Sequence, residues 1–220
     1  MSELRTSTRV IRLFRCLEDI ERGVIHVPSF PRGDVWSDYQ KISLFNSIKR
    51  GFPIGMFVFW NPKKSETSHC EIQQIGGYQL PKQEAHSYII DGYQRLSVLL
   101  GCLVDPKTTH LQRTEGYYEN GSDLCYDLEN DSVVSRSNDE DFFWRIPLHE
   151  LVGGGKYFDF TDRLGVEKIS QEMVDIYTKR YKSFSKRLFE CEIPITYMEG
   201  GDLQETEDLF SQLNGALSNL

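Results

Sequence analysis

Residues 87–103, SYIIDGYQRLSVLLGCL, constrain the fold more than any other stretch of the chain. Tyr88-Ile89-Ile90 is a short apolar, β-branched run closed by Asp91-Gly92, a pattern that predicts the end of a buried strand. Beyond it Leu96, Leu99, Leu100 and Leu103 recur at i, i+3, i+4 and i+7, the stripe of one helix face. Asp91-Gly92 is therefore a strand-to-helix junction. Glycine permits an unusual φ there, and the first helical N–H groups lack partners in their own helix. Gln94 and Arg95 fall in the first turn, off the apolar stripe. A helix N-terminus beside a planar five-donor cation has the makings of a phosphate site. The same residues also suit a plain corner, with Asp91 as an N-cap and Arg95 solvated. Pattern alone leaves both readings open.

The rest of the chain supplies the elements around that corner. Ser7 or Thr8 is placed to cap a first helix carrying Val10, Phe14, Leu17 and Ile20, with Gly23 at its end. Val24-Ile25-His26-Val27 reads as a short strand stopped by Pro28, followed by a loop that contains Arg32 and Trp36. Ser37 and Gln40 have capping-box spacing for a helix through Ile42, Phe45 and Ile48, closed by Gly51. Gly51-Phe52-Pro53-Ile54-Gly55 then turns the chain into the β-prone run 56–60. That turn is either a simple connection or a place where glycine N–H groups approach a ligand closely.

Residues 61–85 read as a polar surface loop or hairpin, and 105–122 as a second polar connection. Strands are expected at 124–128 and 142–146, across an acidic turn, and a helix start at 147–152. The triple glycine 153–155 lacks the later Gly-Lys-Ser/Thr of a phosphate loop and is read as a hinge. The longest helix is expected over 165–188, its Lys179, Arg180, Lys182, Lys186 and Arg187 forming a solvated face near the C-terminal end. A strand at 193–197 comes next, and Asp202 with Glu205 has capping-box spacing for a helix through Leu213. Strands alternating with helices favour an α/β or α+β layer fold in a single domain over 1–220, helical from about residue 160.

Composition narrows the function classes. A formal charge of −8 argues against an overall basic nucleic-acid surface and leaves a local groove open. Arg5, Arg9, Arg12 and Arg15 interrupt anything resembling a signal peptide, and no apolar stretch is long enough to span a bilayer. Five scattered cysteines without Cys-x-x-Cys spacing suit a reduced, cytoplasmic chain with no structural zinc.

Taken together, these blocks resemble the N-terminal domain of GmrSD-type restriction endonucleases, in order and over nearly the whole chain. The family's Ile-Pro-x-Phe/Tyr-Gln-Arg-x-x-Val-Trp-x-x-x-Gln block is similar to Val27-Pro28-Ser29-Phe30-Pro31-Arg32-Gly33-Asp34-Val35-Trp36-Ser37-Asp38-Tyr39-Gln40. Its helix-ending Gly-Phe-Pro-Ile-Gly matches residues 51–55 in full. Its Asp-Gly-Gln-Gln-Arg-Leu box is similar to Asp91-Gly92-Tyr93-Gln94-Arg95-Leu96. Tyr126-Asp127-Leu128-Glu129 and Leu209-Phe210-Ser211-Gln212-Leu213-Asn214 resemble a later strand and the Phe-x-x-Leu-Asn helix. Two departures stand out: Tyr93 replaces the first Gln of the box, and Pro31 replaces the Gln before Arg32.

The resemblance implies an α+β, ParB/sulfiredoxin-like mixed sheet flanked by helices. It also implies a nucleotide-binding, NTP-hydrolysing sensor domain of a modification-dependent, anti-phage restriction system. An NTP with Mg is the implied cofactor; the implied partners are nucleotide, DNA and a nuclease domain or subunit, with no membrane. Asp91, Gln94 and Arg95 take the catalytic positions, with Asp91 the candidate Mg ligand. Arg32, Gly51, Phe52, Pro53, Ile54, Gly55, Gly92 and Tyr93 take the nucleotide-binding ones, and Trp36 and Gln40 are secondary candidates. Arg32, the 51–55 turn and the box are expected to converge on one cleft. No His-Asn-His-type nuclease constellation is seen in the chain, so cleavage by it alone is not expected. The rival reading is a non-enzymatic module of the same fold that binds DNA or protein.

Overall fold

The computed structural model describes residues 4–28, 36–62, 74–81, 86–114, 124–136, 142–153, 155–167, 169–201, 204–206 and 208–209. At its centre lies a five-stranded mixed sheet. Strand β1 (Arg5–Arg12) runs antiparallel to β11 (Glu192–Glu199), which runs parallel to β3 (Phe57–Asn61). On the other side of β3 come β6 (Ser87–Asp91), antiparallel to it, and β2 (Ile25–His26), parallel to β6. Side chains alternate across this sheet, as a strand's two-residue period requires. Phe57, Phe59, Ile89, Ile193 and Ile195 enter the main core, whereas Val58, Trp60, Tyr88, Ile90 and Met198 form a smaller cluster on the opposite face.

Helices α1 (Leu13–Glu21), α2 (Asp38–Arg50), α3 (Tyr93–Leu103), α4 (Lys156–Val166) and α5 (Gln171–Glu190) and two small antiparallel sheets complete the described fold. One sheet has β5 (Tyr78–Gln79) between β4 (Gln74–Ile75) and β7 (Gln112–Arg113). In the other, β8 (Leu124–Asp127) lies between β9 (Ser132–Ser135) and β10 (Arg145–Pro147). The architecture is α+β with a mixed sheet, and among the described residues no helix is long and apolar enough to cross a membrane.

Helix α3 is the hub. Leu96, Leu99, Leu100 and Leu103 are buried as their spacing predicts, but Ser97, Val98 and Cys102 are buried as well. A helix covered on most sides needs small residues where backbone comes close, and Ser97 and Gly101 supply them. The Gly76-Gly77 turn between β4 and β5 settles there: Gly76 N–H donates to Ser97 Oγ at 3.0 Å. A Cβ on Gly101 would come within 2.8 Å of Gly76 O.

Several sequence expectations change. Residues 5–12 form a strand, not the start of α1, because the alternating, β-branched RTSTRVIR pairs along its whole length with β11. Residues 74–81 are a hairpin buried on α3, with Ile75 and Tyr78 inside the core, rather than a surface connection. The helix expected over 165–188 is α5, the longest, but it starts only at Gln171, and residues 165–166 are the end of α4. Ser170 caps α5 through Met173 N–H at 3.3 Å. Strand β9 lies within the stretch expected to be an acidic turn, and residues 148–151 form only a 3-10 turn. Gly155, read as part of a hinge, is the left-handed N-cap of α4, with φ 83°. The helix expected from Asp202 to Leu213 lies largely outside the described residues, although 204–206 and 208–209 are helical.

Candidate functional site

Strand β6 reaches its end with an irregularity. Asp91 stands opposite Val58 and Ile89 opposite Phe59, so Ile90 is an extra residue in the pairing. A bulge of this kind bends a strand and re-aims the residues beyond it. Gly92 then turns the chain with φ 94° and becomes the N-cap of α3, without any side-chain cap. A Cβ on Gly92 would overlap the Phe57 ring, so the corner demands glycine for sterics as well as for φ.

Arg95, one turn on, folds back over this corner. Its Nη2 donates to Asp91 Oδ2 at 3.0 Å and to Met56 O at 2.8 Å, while Nη1 donates to Ile54 O at 2.8 Å. The guanidinium carbon lies 4.5 Å from the centroid of the Phe57 ring. One planar fork thus joins the 51–55 turn, the start of β3 and the end of β6. Gly55, with φ 91°, has no room for a Cβ beneath the same guanidinium. Burial pulls the Arg95 pKa below its ordinary value, and the adjoining Asp91 carboxylate opposes that pull. Among the described residues Asp91 Oδ1 has no hydrogen-bond partner, and the Asp91 side chain is 27% exposed.

The 51–55 turn begins as the left-handed cap of α2: Gly51 has φ 74°, and its N–H donates to Ile48 O at 2.9 Å. Ile54 is buried, whereas Phe52 is exposed, with Arg50 stacked on its ring at 5.3 Å. The Gly51 backbone also meets a residue that sequence reasoning assigned to a solvated face. A Cβ there would lie 3.3 Å from Arg187 Nη1 of α5. Nothing in the local sequence signals that approach, because it is created by the packing of α5 against α2. The rest of the basic cluster is structural or solvated: Arg180 donates to Leu128 O and Glu129 O, and Lys186 pairs with Glu190.

Other candidates have defined places. Tyr93 OH donates to Gln74 O at 3.0 Å, tying α3 to the buried hairpin. Gln94 is half-buried in the first turn. Gln40 Oε1 accepts from Ser37 N and Ser37 Oγ, completing a capping box with Gln40 N–H donating to Ser37 Oγ. Trp36 is half-buried against the core. Arg32 lies outside the described residues. Of the expected composite, the turn and the box do meet, through Arg95.

As a metal set the corner offers one carboxylate, and among the described residues no group of three His, Cys, Asp or Glu side chains gathers elsewhere. A single carboxylate is compatible with Mg, which keeps several waters and takes its remaining ligands from phosphate. Two cavities, of about 400 and 490 Å³, lie toward the C-terminal end of α3, and neither is lined by Asp91 or Arg95.

Residues 13–220 match the family model of the GmrSD restriction endonuclease N-terminal domain. No curated protein matches the chain.

Proposed function

The chain belongs to the GmrSD restriction endonuclease N-terminal domain family, a component of restriction-endonuclease defence systems, and we propose that it is their nucleotide-hydrolysing sensor of modified DNA. One observation carries this reading. Arg95 clamps the glycine-bounded turn onto the Asp91-Gly92 corner and leaves Asp91 Oδ1 without a partner among the described residues. Gly92 lends the start of α3 no side-chain cap, and a helix N-terminus is the end that favours phosphate oxygens.

In this reading Asp91 holds Mg or a water through Oδ1 while Arg95 fixes its orientation through Oδ2. When bound, Mg supplies charge neutralisation between phosphate oxygens. Gln94 orients water from the first turn. Arg95 acts chiefly by position, since both Nη2 hydrogens are already given to Asp91 and Met56 O. Cation for the phosphates comes from Arg32 and, across Gly51, from Arg187. The central sheet is read as the ParB/sulfiredoxin-like core of the family. DNA and a nuclease domain or subunit are the proposed partners.

The test is phosphate release from NTPs with Mg by the purified chain. Wild type is expected to turn over, and Asp91→Ala, folded by circular dichroism, is expected to be inactive. Equal rates in both would remove the proposed role of Asp91. The second reading, a binding module without turnover, draws on the same clamp, because a guanidinium this heavily engaged suffices to hold a corner together. Absence of turnover with retained DNA or protein binding would select it.

A further inference from the structure

The Tyr126-Asp127-Leu128-Glu129 block takes no part in the Asp91–Arg95 corner, yet it leads into a turn tied down on several sides. Residues 128–131 join β8 to β9. Asp127 Oδ1 accepts from the N–H groups of Glu129 and Asn130, both at 2.9 Å. Arg180 of α5 donates to Leu128 O at 2.6 Å and to Glu129 O at 2.8 Å. The turn ends at Asp131, which among the described residues is the one non-glycine with a left-handed φ, 51°. That conformation costs an L residue energy and persists where the surroundings over-determine it.

What Asp131 holds is the end of α2. Lys49 Nζ reaches Asp131 Oδ1 at 2.6 Å and also donates to Asp131 O, and Tyr126 OH donates to the same Oδ1. The Lys49 ammonium lies 5.6 Å from the centroid of the Tyr126 ring. At the far end of β9, Ser135 Oγ donates to Asp38 Oδ2 at 3.1 Å, so the β9 side of the hairpin is tied to both ends of α2. Lys49 stands in the last turn of α2, which is continuous with the candidate site. Gly51 N–H donates to Ile48 O at 2.9 Å and Phe52 N–H to Ser47 O at 2.8 Å, the paired bonds of a Schellman cap. The first two residues of the 51–55 turn thus hang on the carbonyls just before Lys49. At the other end of that turn Arg95 takes Ile54 O and Met56 O and holds Asp91 Oδ2. Ile48, 3% exposed, fixes the last turn of α2 from the core, and the Lys49 pair fixes it from the hairpin.

We propose that Lys49 and Asp131 are positioning residues of the Asp91–Arg95 corner: their pair sets the end of α2 and, through the 51–55 turn, the orientation of Arg95 and Asp91. Its effect on turnover rests on the nucleotide reading above; the coupling between hairpin, turn and clamp stands without it.

Lys49→Met removes the pair, keeps the aliphatic stem and has a helix propensity close to that of lysine. Asp131 is then left partly in water, its side chain being 44% exposed. Amide hydrogen exchange in Lys49→Met is expected to quicken about threefold or more at Gly51 and Phe52, the scale of losing a half-exposed ion pair. Exchange along β11 is expected to stay as in wild type. Ser135→Ala, which cuts the tie at the other end of α2, is expected to leave Gly51 and Phe52 unchanged. Asp131→Asn, with a residue that tolerates the left-handed φ, serves in the same measurement if Lys49→Met does not fold. Lys49 and Arg95 share no partner among the described residues, so independent losses in urea midpoint would add. Coupling through the turn makes Lys49→Met with Arg95→Lys lose less than the sum of the two. With Mg and NTP, Lys49→Met is expected to lower kcat about threefold or more with KM within about twofold, and Lys49→Arg to stay near wild type. The proposal is overturned by unchanged exchange at Gly51 and Phe52, by additive losses in the double variant, or by an undiminished kcat. An equal rise in exchange along β11, or in Ser135→Ala, would mean general loosening and overturn it as well. A wild type without turnover removes the nucleotide reading and leaves the exchange and the double variant to decide.

Discussion

Arg95 and Gly55 fit each other as a matched pair: the Nη1 of Arg95 occupies the space that a Cβ at position 55 would need. The same nitrogen donates to Ile54 O, and Nη2 donates to Met56 O, so the guanidinium grips the peptide on both sides of the glycine. Because Nη2 also holds Asp91, the conformation of the turn and the orientation of the carboxylate are set by one side chain.

Gly55→Ala therefore tests the clamp without replacing any charged group. The left-handed φ of 91° and the overlap with Arg95 act in the same direction. A stability loss of about 1–3 kcal/mol is expected in urea denaturation. Turnover should fall further than stability alone explains, since a displaced Arg95 releases Asp91. Unchanged stability would mean that the turn relaxes freely and that the pair is not coupled.

Arg95 itself separates position from charge. Arg95→Ala is expected to weaken triphosphate binding by about 1.5–3 kcal/mol, the range for a hydrogen bond to a charged group. Arg95→Lys keeps the charge but loses the fork that reaches Ile54 O, Met56 O and Asp91 together. If position is what matters, calorimetry should find the lysine variant close to the alanine one. A lysine variant that binds like wild type would return Arg95 to direct charge neutralisation.

Legibility tracked the range of the forces involved. The Asp91-Gly92 corner, the α3 stripe and the Ser37–Gln40 capping box could all be read, because each is set by residues within a few positions of one another. Strand β1 could not. Its residues are exposed and polar along most of their length, and its partner β11 lies some 180 residues away in sequence. Within the candidate site the 51–55 turn and the box were found as motifs, but their link through Arg95 is a tertiary hydrogen-bond fan with no local signature. The approach of Arg187 to Gly51 was missed for the same reason, since charge clusters on helices usually mean solvent.

Two helix glycines make opposite predictions. Replacing an exposed helical glycine by alanine ordinarily stabilises by up to about 1 kcal/mol. At Gly165 of α4 nothing among the described residues lies within 4 Å of the new Cβ, so Gly165→Ala should gain some of that stability. At Gly101 the Cβ would press on the backbone O of Gly76, the residue whose N–H donates to Ser97 Oγ. Overpacking of about 1–3 kcal/mol outweighs the propensity gain there. Thermal denaturation of the two variants should move the midpoint in opposite directions. A stabilised Gly101→Ala would mean that the hairpin does not press on α3 at this point.

Acid sensitivity should come first from a buried histidine. His26 on β2 is about 1% exposed, its Nε2 has no partner among the described residues, and its ring packs edge-on to Tyr88. Burial lowers its pKa, opposed in part by a hydrogen bond with the Gly23 backbone. The unfolded chain then takes up a proton near the ordinary value of 6.5, while the folded chain does not. Stability is complete above that pH and declines as pH falls toward the lowered value in the folded state, by at most about 1.4 kcal/mol per pH unit for one group. His149, also lowered by burial, adds a second contribution of the same sign. Asp105 and Asp131 have carboxyls held below their ordinary value of 3.8, so their stabilisation is lost only in stronger acid and does not enter this window. Urea midpoints measured between pH 7.5 and 5.5 should fall for wild type and fall less steeply for His26→Leu. The variant should start lower at pH 7.5, having lost the Gly23 hydrogen bond, by about 0.5–1.5 kcal/mol. Parallel curves for the two proteins would show that the proton is not taken up at His26, and the acid response would then have to come from His149 or another group.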